Sequence, residues 1–236
     1  ACRQTGFAML AEGNVQEVMD LSAVAHLSAI KGRVPFINFF DGFRTSHEIQ
    51  KVALWDYEDL AELCDMDAVQ AFRDHALNPE HPHARGSHEN DDIFFQHREA
   101  CNKAYNALPA VVEDYMNKVN EKLGTSYHLF DYYGADDADR VVVCMGSFCD
   151  TLEEVVDYLN AHGEKVGLIK VRLYRPWSIE HFVAALPKSV KSIAVLDRTK
   201  EPGSIGEPLY QDVITALFES GISGIKVIGG RYGLGS

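Results

Sequence analysis

The chain lacks the cysteine patterns that build metal clusters and disulfide frameworks. Its 236 residues include five cysteines, an odd number, and none of them form a CxxC pair. Small secreted domains use even sets of cysteines, whereas zinc ribbons and iron–sulfur sites use closely spaced pairs. The pattern therefore favours neither arrangement, and it indicates reduced thiols in a cytoplasmic protein.

Positive charge and long apolar runs are also scarce. Lysine and arginine total 22 against 35 aspartates and glutamates, which gives a net charge of −13. Because binding of duplex nucleic acid needs a basic face, we predict no nucleic-acid partner. No run of about 18 apolar residues occurs, so we predict no membrane span. The GxGxxG fingerprint of dinucleotide-binding sites is missing as well.

The beginning of the chain contains an α/β pattern. Asn14 is a candidate N-cap for an apolar helix over residues 14–32, and Gly32 is expected to end that helix. An unalternating apolar strand over 34–40 follows, and a helix followed by such a strand is typical of half a βαβ unit. The short apolar segment 7–10 is interpreted as a helix.

Further helices are predicted downstream. Thr45 and Glu48 fit a T-x-x-E capping box at the start of one helix. The apolar spacing predicts two more helices, over 57–76 and 108–123. Segment 77–98 between them is polar and rich in histidine, and we expect an extended loop with a functional or interfacial role.

From residue 137 onward, strands and helices alternate regularly. Strands are predicted at 140–145, 166–174, 192–196 and 225–228, and helices at 150–161, 178–186 and 207–220. Asp150 is the candidate cap of the first of these helices. Four strands joined by three helices predict a parallel three-layer α/β arrangement. We therefore predict two domains, 1–136 and 137–236.

Polar side chains cluster directly after the predicted strand 34–40. They are Asp41, Arg44, Ser46, His47 and Glu48. A neighbouring His–Glu pair could do acid–base work. Alternatively, Thr45 and Glu48 cap a helix while Arg44 pairs with Asp41, an arrangement compatible with a subunit or domain interface.

A second charged group follows two successive strands of the second part. Its members are Arg172, Arg175, Asp197, Arg198, Lys200 and Glu201. The carboxyl ends of parallel strands meet at one edge of a sheet. We interpret the group as an ion-pair network at a domain or subunit face, and the alternative is a site for a substrate anion.

Arg3 lies in an RQTG segment near the start of the chain. An arginine can clamp a carboxylate with two parallel hydrogen bonds. Thr5 and Gly6 could bring a hydroxyl and a backbone N–H to the same ligand. The alternative is a surface arginine beside a turn.

A metal site and a reactive thiol are weaker interpretations. His81 and His83 have HxH spacing, but Pro82 separates them and no third ligand has a helical spacing, so we predict no metal site. A thiol at a helix start, as Cys149 is predicted to be, would have a lowered pKa. Cys144, inside an apolar strand, is expected to be a buried small side chain.

Several longer strings resemble one family along essentially the whole chain. They are RQTGFAMLAEGNVQEVMDLSAVAH, VPFINFFDGFRTSHEIQK, NPEHPHARG, GLIKVRLYRPW, LDRTKEPG and GRYGLGS. In order and spacing they resemble the pyruvate:ferredoxin (flavodoxin) oxidoreductases. The resemblance implies a partial thiamine-diphosphate-binding fold in 1–136, followed by a transketolase C-terminal-like domain in 137–236.

The resemblance also implies a reaction and its participants. The family oxidatively decarboxylates pyruvate with coenzyme A, produces acetyl-CoA and carbon dioxide, and reduces ferredoxin or flavodoxin. The implied cofactors are thiamine diphosphate, Mg²⁺ and [4Fe-4S] clusters, and the implied assembly is a homodimer. Arg3 matches the family's arginine that holds the pyruvate carboxylate, and Thr5 is a neighbouring candidate.

The resemblance implies an internal piece of a longer enzyme. The glutamate that activates the thiamine pyrimidine is expected before Ala1. The diphosphate and magnesium loop, the coenzyme A region and the cluster cysteines are expected after Ser236. We therefore expect no catalytic residue within this chain and no activity from the chain alone. The alternatives are a non-catalytic α/β assembly module and a related thiamine-dependent 2-oxoacid oxidoreductase.

Overall fold

The computed structural model describes residues 2–82 and 88–234, apart from the side chain of Arg44. The strands are β1 (Ala8–Glu12), β2 (Phe36–Phe40), β3 (Phe130–Gly134), β4 (Arg140–Cys144), β5 (Val166–Val171), β6 (Leu173–Arg175), β7 (Ser192–Asp197) and β8 (Lys226–Arg231). The helices are α1 (Val15–Gly32), α2 (Arg44–His47), α3 (Tyr57–Leu63), α4 (Met66–Asp74), α5 (Phe94–Ala100), α6 (Asn102–Leu123), α7 (Phe148–Ala161), α8 (Ile179–Ala184) and α9 (Pro208–Glu219). No helix among the described residues is long and apolar enough to cross a membrane.

The first sheet has the order β2-β1-β6 and contains the predicted βαβ unit. β1 and β2 are parallel and α1 connects them. Asn14 caps α1 as predicted, because its side chain accepts a hydrogen bond from the backbone N–H of Glu17 at 3.0 Å. The helix ends at Gly32, and the residue in the left-handed region is the C-cap Arg33, with a φ of 56°.

Gly32 allows two helices to pack closely, and it does not form the left-handed turn after α1. A Cβ atom at this position would lie 2.5 Å from Cδ1 of Leu108 in α6. The missing side chain therefore lets α1 and α6 approach closely, and these two helices pack against each other.

The prediction of a helix over 7–10 is wrong, because residues 8–12 form β1. β1 is the central strand of its sheet, and four of its five residues are buried. A strand covered on both faces shows no alternation, so periodicity cannot distinguish it from a short buried helix.

The second sheet has the order β3-β5-β4-β7-β8. Its strands β4, β5, β7 and β8 are parallel, which confirms the parallel α/β prediction. The edge strand β3 was not predicted, and it is antiparallel to β5. α7 packs on β5, and α9 packs on β7.

The predicted strand 166–174 divides at Arg172 into two strands of different sheets. β5 stays in the second sheet, whereas β6 pairs antiparallel with β1 in the first. Backbone hydrogen bonds hold the junction, with the N–H of Ala11 donating to the carbonyl of Arg172 at 2.8 Å. One continuous chain segment thus joins both sheets.

The predicted capping box at Thr45 and Glu48 is wrong. The short helix α2 is closed by Ser46, whose hydroxyl accepts from the N–H of Phe43 at 2.8 Å. The Thr45 hydroxyl instead donates to the carbonyl of Gly13 at 3.4 Å. The Thr45 side chain thus links this loop to the residue that follows β1.

Other boundaries also differ from those predicted. The expected helix 57–76 is two helices, α3 and α4, and the Asp65 carboxylate caps the second by accepting from the N–H of Ala68 at 2.8 Å. α5 begins inside the expected loop 77–98. Part of that loop, 83–87 with His83, lies outside the described residues.

The cap predicted for α7 is also different. Ser147 takes the N-cap position, and Asp150 lies in the first turn of the helix. There the Asp150 carboxylate accepts a hydrogen bond from the Asn14 side chain at 3.3 Å. Asp150 therefore links α7 to the start of α1.

One apolar core extends through both parts of the described chain. It includes Leu21 of α1 and Val112 of α6, together with Ile193 of β7 and Val213 of α9. The domain limits 1–136 and 137–236 stay a prediction.

Candidate functional site

The second sheet has a topological switch point between β4 and β7. The chain passes from β4 to β5 on one side and then crosses to β7 on the other side of β4. Such a reversal leaves a crevice outside the carboxyl ends of the two strands, where open α/β sheets bind ligands. The loops after β4 and β7 are therefore the first place to look for a site.

A cavity of about 250 Å³ lies at this edge. Its lining includes Arg3, Phe40, Asp41, Gly146, Arg198 and Glu201. The first three residues come from the beginning of the chain, and the others follow β4 and β7. The cavity therefore lies between the two parts of the chain, and both contribute charged groups.

Arg3 is held at the cavity wall by Glu201. Both terminal nitrogens of the guanidinium donate to the Glu201 carboxylate, one to each oxygen, and the Nη2–Oε2 distance is 3.1 Å. The two side chains are 18% and 28% exposed. Arg3 therefore does not extend freely into solvent, and its role in substrate binding stays a prediction.

Asp41 forms the second ion pair of the cavity, with Arg198. Their Oδ1 and Nη1 atoms are 2.8 Å apart. The other carboxylate oxygen accepts from the backbone N–H of Ser147 at 2.5 Å. Asp41 thus joins the end of β2 to the loops after β4 and β7. The expected partner, Arg44, has a side chain outside the described part.

Gly146 is required where Asp41 approaches this loop. Its φ of 82° is one that side chains rarely adopt, and an added Cβ would lie 2.7 Å from an Asp41 oxygen. The glycine allows the carboxylate to reach the N–H of Ser147, next to the start of α7.

Asp197 closes the base of the crevice at the end of β7. Its carboxylate accepts from the N–H groups of Leu209 and Tyr210, at 2.9 and 3.2 Å, in the first turn of α9. Burial raises its pKa although these hydrogen bonds oppose the shift. Asp197 therefore orients α9 relative to β7.

The remaining predicted residues lie outside the cavity. Arg175 pairs with Asp212 at 2.9 Å and stacks on the ring of Tyr174. The Thr5 hydroxyl donates to the carbonyl of Cys2 at 2.7 Å and closes a turn.

His47 and Glu48 lie on the surface beside the cavity. The His47 ring contacts the Ser46 hydroxyl at 2.8 Å and stacks on Phe43. His47, Glu48, Phe43 and Arg198 line a shallow depression. Their role at a site edge or interface stays a prediction.

The two cysteines near the switch point are buried. Cys144 and Cys149 have their sulfur atoms 3.6 Å apart. The hydrogen bond with Cys144, together with burial, raises the pKa of the Cys149 thiol. The weaker interpretation, a lowered pKa at a helix start, does not hold for Cys149, whereas the prediction of a buried Cys144 is confirmed.

Sequence reasoning missed a buried ion triad that connects the two parts. Arg172 is 5% exposed and contacts Glu17 of α1 at 2.8 Å and Asp131 of β3 at 2.5 Å. Burial opposes the charge of Glu17, but Arg172 outweighs it and lowers the Glu17 pKa. The arginine was noted in the sequence, but nothing there indicated partners so distant along the chain.

Metal ligation has no support in the residues that the structure covers. Among them, no group of three or more His, Cys, Asp or Glu side chains could hold a metal ion. What the cavity offers is two guanidinium groups, each paired with a carboxylate from the other part of the chain.

Comparison with known sequences and structures identifies relatives of this chain. The profile of a family described as pyruvate flavodoxin/ferredoxin oxidoreductase, thiamine diphosphate-binding, matches residues 1–117. The profile of pyruvate:ferredoxin oxidoreductase core domain II matches residues 138–234. Together the two matches cover most of the chain.

Individual relatives agree with these profiles. The chain is 64% identical over 236 residues to a pyruvate:ferredoxin oxidoreductase of Moorella thermoacetica. It is 63% identical over 235 residues to a pyruvate-flavodoxin oxidoreductase of Enterobacter agglomerans. Each match covers 100% of this chain but 20% of the relative, so the chain spans about a fifth of their length.

A solved structure supports the fold. A 2-oxoglutarate:ferredoxin oxidoreductase from Magnetococcus marinus matches with a TM-score of 0.53 and 17% sequence identity. The match covers 95% of this chain and 38% of that one. At this identity the likeness concerns the fold alone.

Proposed function

The chain belongs to the pyruvate flavodoxin/ferredoxin oxidoreductase family, and on that premise we propose that its parent enzyme oxidatively decarboxylates pyruvate with coenzyme A. The products are acetyl-CoA and carbon dioxide, and the electrons go to ferredoxin or flavodoxin. The observation that carries the proposal is identity above 60% along the whole chain to relatives with these names.

Within this chain, the proposed contribution is binding of the substrate carboxylate by Arg3. A guanidinium has five N–H donors, and the end-on pair with Glu201 uses one from each terminal nitrogen. The Nε–H and the outer hydrogens keep the capacity to bind a carboxylate. The cavity is smaller than the roughly 300–1,000 Å³ of pockets for drug-sized ligands, which favours a small acid.

The described residues do not fit the metal-bound diphosphate of thiamine diphosphate, because they contain no cluster that could hold Mg²⁺. We propose that Mg²⁺, the diphosphate, the [4Fe-4S] clusters and coenzyme A bind to other segments of the parent. Thiamine supplies the carbanion chemistry when bound. The residues of this chain are assigned binding and orientation of the substrate.

The proposed organisation has two domains, with a boundary near residue 136. The family matches support it, since one ends at 117 and the other begins at 138. We further propose a cytoplasmic homodimer, and the five free cysteines suit a reducing compartment.

A second candidate role is that of a non-catalytic assembly module within the same parent. The ion pairs that cross between the two parts, Asp41–Arg198 and the triad around Arg172, favour it. In that case Arg3 and Glu201 are another structural cross-link, and substrate kinetics do not depend on them.

An Arg3→Gln substitution in the full-length parent distinguishes these roles. Loss of a charged binding partner is expected to reduce kcat/KM for pyruvate by about 2–4 kcal/mol of transition-state binding. The assay is pyruvate- and coenzyme A-dependent reduction of ferredoxin or flavodoxin, with 2-oxoglutarate as a competing substrate class.

Arg140→Gln is the matched control. Arg140 is about half exposed and pairs with Asp139 and Glu164 on the surface, so its substitution is expected to leave the kinetics unchanged. Equal pyruvate kinetics for wild type and Arg3→Gln would reject the substrate role and favour the assembly module. Preference for another 2-oxoacid would keep the reaction class and change the substrate.

A further inference from the structure

The Arg3–Glu201 contact joins residues that are 198 positions apart along the chain. Arg3 lies in a single turn of 3₁₀ helix over Cys2–Gln4, and no residue of that turn is buried. A short surface turn provides little support for the long, flexible arginine side chain. The orientation of the guanidinium therefore depends on what its far end binds.

Glu201 is itself held in place by its own loop. Its backbone N–H donates to the Glu207 carboxylate at 2.8 Å, and its carbonyl accepts from Ser204 at 3.2 Å. Glu207 is buried and is bound in turn by Arg231 at 2.8 Å. The hydrogen bond from Glu201 and the contact with Arg231 lower the pKa of Glu207. The backbone of Glu201 is therefore anchored on both sides by hydrogen bonds within its own loop.

The other acids of the cavity wall already have partners. Asp41 is bound by Arg198 and the backbone of Ser147, and Asp197 is bound by the first turn of α9. Of the described carboxylates that line the cavity, Glu201 is the one that binds Arg3.

We propose that Glu201 is a positioning residue that fixes the Arg3 guanidinium, so that its remaining N–H groups face the substrate carboxylate. This rests on the substrate role proposed for Arg3. The two parallel hydrogen bonds to Glu201 restrain the guanidinium in one plane and come from its terminal nitrogens, so the Nε–H is not among the donors they use. Because Glu201 already holds the Arg3 side chain in one conformation, binding of substrate does not have to order it, and this entropy cost is avoided.

The opposite arrangement makes a different prediction. If Glu201 occupied the position that the substrate carboxylate takes, substrate would have to displace it, and removing its charge would lower the KM for pyruvate. If Glu201 braces Arg3, removing its charge raises that KM. The sign of the change therefore separates the two.

The test is a double-mutant cycle in the full-length enzyme, with Glu201→Gln, Arg3→Gln and the double variant. Gln keeps the size of the side chain, and the site is partly exposed, so we expect the variant to fold. We expect Glu201→Gln to raise the KM for pyruvate on the order of tenfold with a smaller change in kcat. The KM for coenzyme A is expected to stay the same. In the Arg3→Gln background the same substitution is expected to have no further effect.

Glu164→Gln is the matched control, because Glu164 pairs with an arginine at an exposed site of the second part. An unchanged or lowered pyruvate KM in Glu201→Gln, or effects that simply multiply in the double variant, would overturn the positioning role. If Arg3→Gln alone impairs pyruvate kinetics while Glu201→Gln does not, only the positioning role is refuted. If neither has an effect, the substrate role of Arg3 falls as well.

Discussion

Replacing Arg172 by Met tests how the two parts of the chain are held together. The guanidinium is 5% exposed and binds Glu17 and Asp131, which are 10% and 15% exposed. Met has a similar length but no charge, so the substitution leaves both carboxylates without their cation. Removing one partner of a buried ion pair typically destabilises by about 3–5 kcal/mol, and we expect Arg172→Met to fall in that range.

The stability lost in Arg172→Met is expected to depend on pH. Burial opposes the charged forms of Glu17 and Asp131, and Arg172 is the main group that counteracts it. The pKa of Glu17 is lowered overall, whereas the pKa of Asp131 stays raised. Without Arg172, the folded-state pKa of Glu17 is expected to rise above its unfolded value and that of Asp131 to rise further, so the folded variant holds protons that the unfolded chain releases. The variant is therefore least impaired near pH 4–5, and its deficit grows as the pH rises through the new folded-state pKa values.

Urea unfolding of the chain at pH 5 and pH 8, followed by tryptophan fluorescence, measures this effect. Arg140→Met is the matched control, since it removes an arginine that is 51% exposed and pairs with exposed acids. It is expected to change the unfolding free energy by under about 1 kcal/mol. A loss for Arg172→Met no larger than that of the control, or a loss greater at pH 5 than at pH 8, would refute the reasoning. Adding Glu17→Gln and Asp131→Asn should restore part of the stability.

Two further substitutions test a buried acid of the first sheet and a glycine of the cavity wall. Glu12 is fully buried at the end of β1, and burial raises its pKa to about 9. The folded state keeps a proton that the unfolded chain loses near pH 4.5, so the folded state is destabilised as the pH rises from 4.5 to about 9. Glutamine does not titrate, so Glu12→Gln should raise the unfolding midpoint more at pH 8 than at pH 5. An equal increase of the midpoint at pH 5 and pH 8 would contradict the raised pKa of Glu12. Gly146→Ala should destabilise by about 1–3 kcal/mol more than Gly163→Ala, because both glycines have positive φ but only Gly146 faces Asp41 within 4 Å. Equal unfolding midpoints of the two variants would show that Asp41 moves away freely.

Local signals predicted much of the fold. Asn14 caps α1 because a short polar side chain can satisfy N–H groups three residues away. The alternation of strands and helices after residue 137 predicted β4, β5, β7 and β8 as a parallel set. These features depend on periodicity and on neighbours along the chain.

Predictions failed where burial on both sides or a distant partner decided the outcome. β1 is buried on both faces, so its sequence shows no strand periodicity. The strand predicted over 166–174 continues without a visible break in the sequence. It divides at Arg172 because that side chain turns to Glu17 and Asp131, neither of which is near in sequence.

For the candidate site, the sequence by itself determined which residues follow strand ends and which family the motifs resemble. That placed Arg3, Asp41, Arg198 and Glu201 among the candidates. Only the tertiary structure decided their pairing, Arg3 with Glu201 and Asp41 with Arg198. The physical reason is that a charged side chain selects its partner by proximity after the sheets have assembled, and the assembly depends on burial of apolar surface shared by both parts of the chain.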